Sequence, residues 1–151
     1  MAAFVGFSLI EAMMAVAVMA ILATVTLPAY SDYQRRAYLP EAFNGLADFR
    51  VRMEHFYQDH QRYGSGADSA CAGDPSAAGW NAFAPRDAQN FSYRCAVQAS
   101  QDGYLIVATG RPESSAAGHV FTIDHEGRHG TVLFKGRAVD ADCWLTSDGG
   151  C

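Results

Sequence analysis

The sequence predicts an α+β fold in which one long N-terminal α-helix packs on a four-stranded antiparallel β-sheet. Three observations predict it. Residues 7–27 are almost entirely apolar, apolar residues continue at helical spacing to about residue 58, and four short runs with strand periodicity follow residue 91. A single sheet on a single helix is a simple way to bury both apolar faces. The 151 residues are enough for one globular domain with a modest core.

The first element is apolar and almost uncharged. Glu11 is the only charged residue from Met1 to Ser31, and every Lys and Arg lies at position 35 or later. At about 1.5 Å per residue, residues 7–27 span roughly 30 Å, the thickness of bilayer hydrocarbon. We therefore predict a transmembrane helix over residues 7–34. A cleaved secretory signal is the alternative, but no small-x-small cleavage site with a polar mature start follows the apolar run.

The helix is predicted to continue into a globular head over residues 35–151. Its apolar residues recur every three or four positions, which is one face of an α-helix. We interpret this face as core packed on the sheet, and the alternative is a partner-binding face. Pro28, Pro40 and Asn44-Gly45 are expected to bend or loosen the helix without ending it. The apolar stripe consists of Leu39, Phe43, Leu46, Phe49, Met53, Phe56 and Tyr57.

Four strands are predicted from alternation and turn residues. The first is "FSYRCAVQA" from Phe91, and Asp102-Gly103 marks the turn to the second, Tyr104–Gly110. The third is His119–Asp124 and the fourth is Thr131–Lys135.

Between the third and fourth strands lies "HEGRH", a literal match to the H-E-x-x-H motif of zinc metalloproteases. That chemistry requires both histidines on one helix, a turn apart. Here Gly127 and Gly130 oppose a helix and suit the positive φ of a hairpin. We interpret the motif as a coincidence in a hairpin, although His125 and His129 could then bind Zn²⁺ or Ni²⁺ adventitiously. We find no other catalytic motif and predict neither an enzyme nor a metal or cofactor site.

Four cysteines in a short chain with a membrane-directed N-terminus indicate two disulfides formed in an oxidising compartment. Their spacing contains no C-x-x-C pair, and four cysteines allow three connectivities.

The segment "GFSLIE", residues 6–11, resembles the processing site of type IV prepilins. Pro28, Tyr30 and Tyr33 also fall where that family carries a proline and aromatic residues. The resemblance implies a leader over residues 1–6, cleavage by a prepilin peptidase between Gly6 and Phe7, and N-methylation of Phe7. Family leaders normally carry Lys or Arg before the glycine, whereas "MAAFVG" has none, so we expect the native start to lie upstream of Met1. The alternative is an unusual leader, which would lower the efficiency of processing.

The resemblance also implies a role for Glu11. A carboxylate in an apolar stretch is costly, and one interpretation is that it reaches the nearby membrane interface. In a type IV filament, residues 7–34 would form the filament-core helix. Glu11 would then neutralise the new ammonium of Phe7 in the adjacent subunit. Two buried charges then become tolerable as a pair, and the pairing sets subunit register.

The remainder of the chain resembles PilE- and ComP-like minor pilins in "RMEHFYQDHQRY", "FSYRC", "FTIDHEGR" and the terminal cysteine loop. This resemblance implies the pilin fold and pairs Cys71 with Cys95 and Cys143 with Cys151. It also implies other pilin subunits, a prepilin peptidase and the inner-membrane assembly machinery as partners. The precursor is then expected in the inner membrane with its head in the periplasm, and the mature chain in an extracellular pilus.

The leading hypothesis is a structural, minor subunit that is incorporated in a type IV pilus or primes it, in twitching, adhesion or DNA uptake. Two alternatives remain: a DNA-binding minor pilin that acts as a receptor in transformation, and a type II secretion pseudopilin. Residues 35–151 carry 14 acidic and 11 basic side chains, which weakens the DNA hypothesis. The candidate DNA contacts are Arg94, Arg111, Arg128, Lys135 and Arg137.

Overall fold

The computed structural model describes residues 8–66, 69–72, 88–98 and 102–151. The chain divides into two compact units between Arg35 and Arg36, and we call the second unit, residues 36–151, the head. The described residues contain one helix and five strands: α1 (Leu9–His60), β1 (Phe91–Val97), β2 (Tyr104–Gly110), β3 (Val120–Asp124), β4 (His129–Phe134) and β5 (Arg137–Ala141).

The strands form one antiparallel sheet in the order β1-β2-β3-β4-β5. The predicted α+β class is therefore confirmed, but the predicted count of four strands is wrong. The missed strand, β5, has the sequence "RAVDA" and alternates poorly, since Val139 is its only large apolar side chain. It forms because Lys135 and Gly136, at φ of 51° and 76°, reverse the chain and β4 supplies its backbone partners.

Helix α1 confirms the predicted long helix and passes through Pro28 and Pro40 without a break. In its first part the apolar side chains are exposed, Leu9 by 79% and Met19 by 69%. Within the described residues, no helix has the length and apolar character needed to cross a membrane. The helix over residues 7–34 is thus confirmed from Leu9 onwards, whereas its membrane-spanning role stays a prediction.

The predicted apolar stripe of α1 packs against the sheet. Leu46, Met53 and Phe56 are at most 1% exposed and join the same core cluster as the inward-facing residues of β1, β2 and β3. Phe43 is partly buried at the edge of this cluster. Tyr57 does not follow the prediction, because it is 38% exposed and stacks on Tyr63 with ring centroids 4.7 Å apart.

The sheet approaches the helix closely at Gly45. A Cβ atom at this position would overlap the ring of Tyr93, whose hydroxyl donates a hydrogen bond to the Glu41 carbonyl at 2.9 Å. The Asn44-Gly45 pair was expected to loosen the helix. Instead, the helix continues and the missing side chain of Gly45 makes room for β1.

Candidate functional site

The predicted processing site lies mostly outside the described residues, since these begin at Ser8, after Gly6 and Phe7. Glu11 lies in the first turn of α1, and its backbone N–H donates to the Ser8 carbonyl at 3.1 Å. A carboxylate at this end of a helix is favoured by the helix dipole. Glu11 is exposed among exposed apolar residues, with Ile10 at 69% and Met14 at 66%. Its side chain is therefore accessible to a second molecule.

Both disulfides form with the connectivity implied by the family resemblance. Cys71 is bonded to Cys95, with Cα atoms 5.4 Å apart, and Cys143 to Cys151, with Cα atoms 5.9 Å apart. Next to the first disulfide, the Val97 N–H donates to the Ser69 carbonyl at 2.9 Å. The segment that follows α1 is thus fixed to β1 by a covalent bond and by backbone hydrogen bonds.

The C-terminal disulfide loop is attached to the core through two side chains. The buried Thr131 hydroxyl donates to the Cys143 carbonyl and accepts from the Leu145 N–H at 3.0 Å. The Trp144 indole N–H donates to the Thr122 carbonyl at 2.8 Å, and its ring stacks on Phe43 at 4.9 Å. The loop is therefore held in one position against the sheet and the helix.

Glu41 joins α1 to the start of β1, a role that the sequence did not predict. One carboxylate oxygen accepts from the backbone N–H groups of Asn90 at 2.9 Å and Phe91 at 3.1 Å. The other oxygen accepts from the Asn90 side-chain amide at 2.7 Å. By periodicity Glu41 belongs to the polar positions of the helix, so the sequence carries no signal that distinguishes it from a solvated carboxylate.

Glu54 occupies a similar position further along α1. It accepts hydrogen bonds from the hydroxyl of Tyr104 at 2.8 Å and from that of Tyr63 at 3.4 Å. Burial, together with the nearby Glu54 carboxylate, raises the pKa of Tyr63 to about 12 and raises that of Tyr104 as well. Both tyrosines therefore stay protonated and remain hydrogen-bond donors at physiological pH.

The "HEGRH" segment forms the turn between β3 and β4, as predicted. Gly127 has a φ of +80°, whereas Gly130 does not adopt the positive φ that was expected of it. Gly130 is required for a different reason, since a Cβ there would lie 2.5 Å from the Thr122 hydroxyl. His125 contacts Tyr104 edge-on, with ring centroids 6.3 Å apart, and His129 stacks on Trp144 at 3.8 Å.

The two histidines thus lie on a hairpin and contact different aromatic rings, rather than sharing one face of a helix. In the part of the chain that the structure describes, no three His, Cys, Asp or Glu side chains are placed to hold a metal ion.

The structure does not gather the five predicted DNA contacts into one patch. Arg94 lies on edge strand β1 and Arg137 on the opposite edge strand β5, about 19 Å apart at 4.8 Å per strand. Arg111 donates to the Phe91 carbonyl at 3.3 Å. Arg128 forms salt bridges with carboxylates at 2.7 Å, and Lys135 forms one with an aspartate at 2.6 Å.

Three comparisons show what the chain is similar to. Residues 28–119, more than half of the chain, match the family described as type IV minor pilin ComP, DNA uptake sequence receptor. The fimbrial protein EcpC of Eikenella corrodens is 41% identical over 68 residues, which cover 45% of this chain and 43% of EcpC. The type IV major pilin protein PilE1 of Neisseria gonorrhoeae is 37% identical over 70 residues, which cover 46% of this chain and 42% of PilE1. The chain thus matches less than half the length of these relatives.

Among solved structures, the non-core minor pilin PilV of Neisseria meningitidis superposes with a TM-score of 0.51. The superposition covers 71% of this chain and 95% of PilV at 15% sequence identity, so it shows a common fold.

Proposed function

The chain belongs to the type IV minor pilin family, and we propose that it is a structural subunit of a type IV pilus, incorporated in the filament or priming its assembly. Type IV pilins are membrane-anchored precursors that form extracellular pili. By this proposal, a prepilin peptidase cleaves the precursor in the inner membrane, with the head in the periplasm. The assembly machinery then adds the mature chain to other pilin subunits.

The proposal rests chiefly on the exposed apolar surface of α1 between Leu9 and Leu22. Nine large apolar side chains in this stretch are at least half exposed: Leu9, Ile10, Met13, Met14, Val16, Val18, Met19, Ile21 and Leu22. Contiguous apolar surface of this size requires an apolar partner. Helices of neighbouring subunits, packed side by side in a filament, would bury it. Glu11, at the start of this surface, would pair with the N-terminal ammonium of a neighbouring Phe7.

The experiment is to express Glu11→Gln in the native host and to measure the chain in sheared filaments and in membranes by immunoblotting. Asp48→Asn, which also neutralises an exposed carboxylate of α1 but lies in the head, is the matched control. We expect Glu11→Gln to reduce the filament fraction at least about tenfold, because it leaves the neighbour's ammonium buried without a partner. Equal incorporation of both variants would refute the assembly role of Glu11. Absence of the unmodified chain from filaments would count against the pilus proposal itself.

A second candidate function, DNA binding by the head, is favoured by the description of the matched family, which names a DNA uptake sequence receptor. The dispersed positions of Arg94 and Arg137, and the salt bridges of Arg128 and Lys135, give this function little electrostatic support. We therefore place it second.

DNA binding is tested by measuring the affinity of the full chain, in neutral detergent, for duplex DNA over a range of salt concentrations. A receptor that uses phosphate contacts loses affinity steeply as salt rises, and Arg94→Ala would reduce that slope by about one. No binding at low salt would remove this candidate and leave the structural function intact.

A further inference from the structure

The sheet surface that faces away from α1 contains a depression lined by both apolar and polar residues. Tyr104, Ile106 and Phe121 point into the core, so the alternate residues of the same strands point outwards. On this outer surface, Leu105 is 39% exposed and Val132 is 52% exposed. They border a shallow depression of about 310 Å³.

Gly130 is one of the residues that line the depression. Gly130 is paired with Thr122 in the sheet register, and a side chain at Gly130 would collide with the Thr122 hydroxyl. The Thr122 hydroxyl therefore occupies the space next to Gly130, and both residues line the depression. An inserted side chain could contact Leu105, Thr122 and Val132 there.

The rim of the depression is acidic. It is lined by three aspartates, Asp124, Asp140 and Asp142. Among the described residues, Arg128 is the only Lys or Arg that lines it. Arg128 is already bound at 2.7 Å by Asp124 and at 2.7 Å by Glu126. Within the described part of the chain, the exposed Asp140 and Asp142 form no salt bridge. The uncompensated charge of the rim is therefore negative.

We propose that this depression, bordered by Leu105, Gly130, Val132, Asp140 and Asp142, docks a basic protein segment in which a Lys or Arg side chain is flanked by apolar side chains. The aliphatic stem and its apolar neighbours contact Leu105 and Val132, while the charged end group lies between Asp140 and Asp142. This placement goes beyond the pilus proposal and does not depend on it.

Charge decides between this partner and a polyanion. DNA phosphates placed over Asp140, Asp142 and Glu126 would be repelled, and Arg128 has its charge offset by two carboxylates. A protein segment with positive side chains gains attraction at the same positions. Basic protein is thus the class of partner that the surface fits.

The first experiment is an NMR titration of the isotope-labelled full chain in an uncharged detergent. The probes are a short peptide of alternating valine and lysine, a matched peptide of alternating valine and glutamate, and a short DNA duplex. We expect the valine–lysine peptide to shift the amide signals of Thr122, Gly130 and Val132 and to bind more weakly as salt rises. Equal binding of the valine–glutamate peptide, shifts of the same signals by DNA, or no localised shifts would overturn the proposal.

The second experiment compares two double variants with the same change of charge. Asp140→Asn with Asp142→Asn removes the negative rim, whereas Asp59→Asn with Asp102→Asn removes two exposed carboxylates outside the depression. We expect the first to weaken binding of the valine–lysine peptide about tenfold and the second to leave it within about twofold. Val132→Lys, at an exposed position, is expected to weaken it as well. Equal affinities of the two double variants would overturn the proposal.

Discussion

The two compact units of the chain differ in whether their large apolar side chains are exposed or buried. In the first, residues 1–35, Leu9 is 79% exposed and Met19 is 69% exposed; in the head, Phe56 and Ile106 are fully buried. The first set of side chains is exposed in the described structure, whereas the second is buried by the chain itself. Stability of the isolated chain is therefore expected to depend on the packing of the head.

Substitution of one apolar residue in each unit tests this contrast most strongly. We expect Phe56→Ala to lower the free energy of unfolding of the head by about 3–5 kcal/mol, because it leaves a cavity in the core. Met19→Ala, at an exposed position of α1, should change it by less than about 0.5 kcal/mol. The measurement is urea denaturation followed by circular dichroism and tryptophan fluorescence. Comparable losses in the two variants would show that the division into two units is wrong.

Removal of the disulfides is expected to have the next largest effect on stability, and both disulfides lie in the head. In the loop-closure model, the Cys71–Cys95 bond, with a sequence separation of 24, contributes about 3.5 kcal/mol. The Cys143–Cys151 bond, with a separation of 8, contributes about 2.5 kcal/mol. Replacing both cysteines of one disulfide by serine should lower the protease resistance of the head in an assay without reductant. The loss should be larger for the Cys71–Cys95 pair than for the Cys143–Cys151 pair. Intact resistance in the Cys71→Ser, Cys95→Ser variant would contradict the stapling role of that bond.

A smaller effect is expected where Glu41 joins the helix to β1. Glu41→Ala leaves the N–H groups of Asn90 and Phe91 without their acceptor, at a cost of about 2 kcal/mol. Asp48→Ala is the matched control, because Asp48 is an exposed carboxylate on the same helix and should be near neutral. The measurement is again the urea midpoint. If both variants unfold at the same urea concentration, the Glu41 contacts do not stabilise the head.

The smallest effect depends on pH and involves Asp124. Burial by itself raises the pKa of Asp124, but hydrogen bonds from the side chain and backbone of Arg128 outweigh it and hold the pKa below its ordinary value of 3.8. A lowered carboxyl pKa in the folded state stabilises the fold above the unfolded-state pKa, and this contribution is lost as pH falls through the folded-state pKa.

We therefore expect Arg128→Gln to lower Tm by about 3 °C at neutral pH, and the difference from the unmodified chain to shrink below about pH 4. Arg137→Gln removes an exposed guanidinium on β5 and serves as the control at each pH. A difference in Tm that stays constant from neutral pH down to about pH 2.5 would rule out Asp124 as its source.

Much of the fold could be predicted from the sequence, because the spacing of apolar residues along a helix or strand indicates which of its side chains are buried. The stripe from Leu39 to Phe56 and the alternation in β1 each mark a half-buried element, and both faces are where the pattern places them. Strand β5 could not be predicted in this way. It is an edge strand with little core contact, and its existence depends on the turn at Lys135-Gly136 and on the backbone of β4.

Polar side chains were harder to predict than apolar ones. Glu41 and Glu54 occupy polar positions of α1 that look the same in sequence as Asp48 and Asp59, yet only the first two accept hydrogen bonds from the sheet. The acidic rim likewise depends on register, which brings Asp140 of β5, and Asp142 just after it, next to a depression made by β2, β3 and β4. Long-range pairing of this kind leaves no local signal.

The most direct test of the pilus proposal is quantitative mass spectrometry of sheared surface filaments digested without reduction. We expect a low-abundance peptide that begins at methylated Phe7, alongside an abundant and different pilin, and a Cys143–Cys151 peptide recovered in disulfide-bonded form. Detection of the processed chain in membranes but never in filaments would contradict the proposal and favour a secretion pseudopilin.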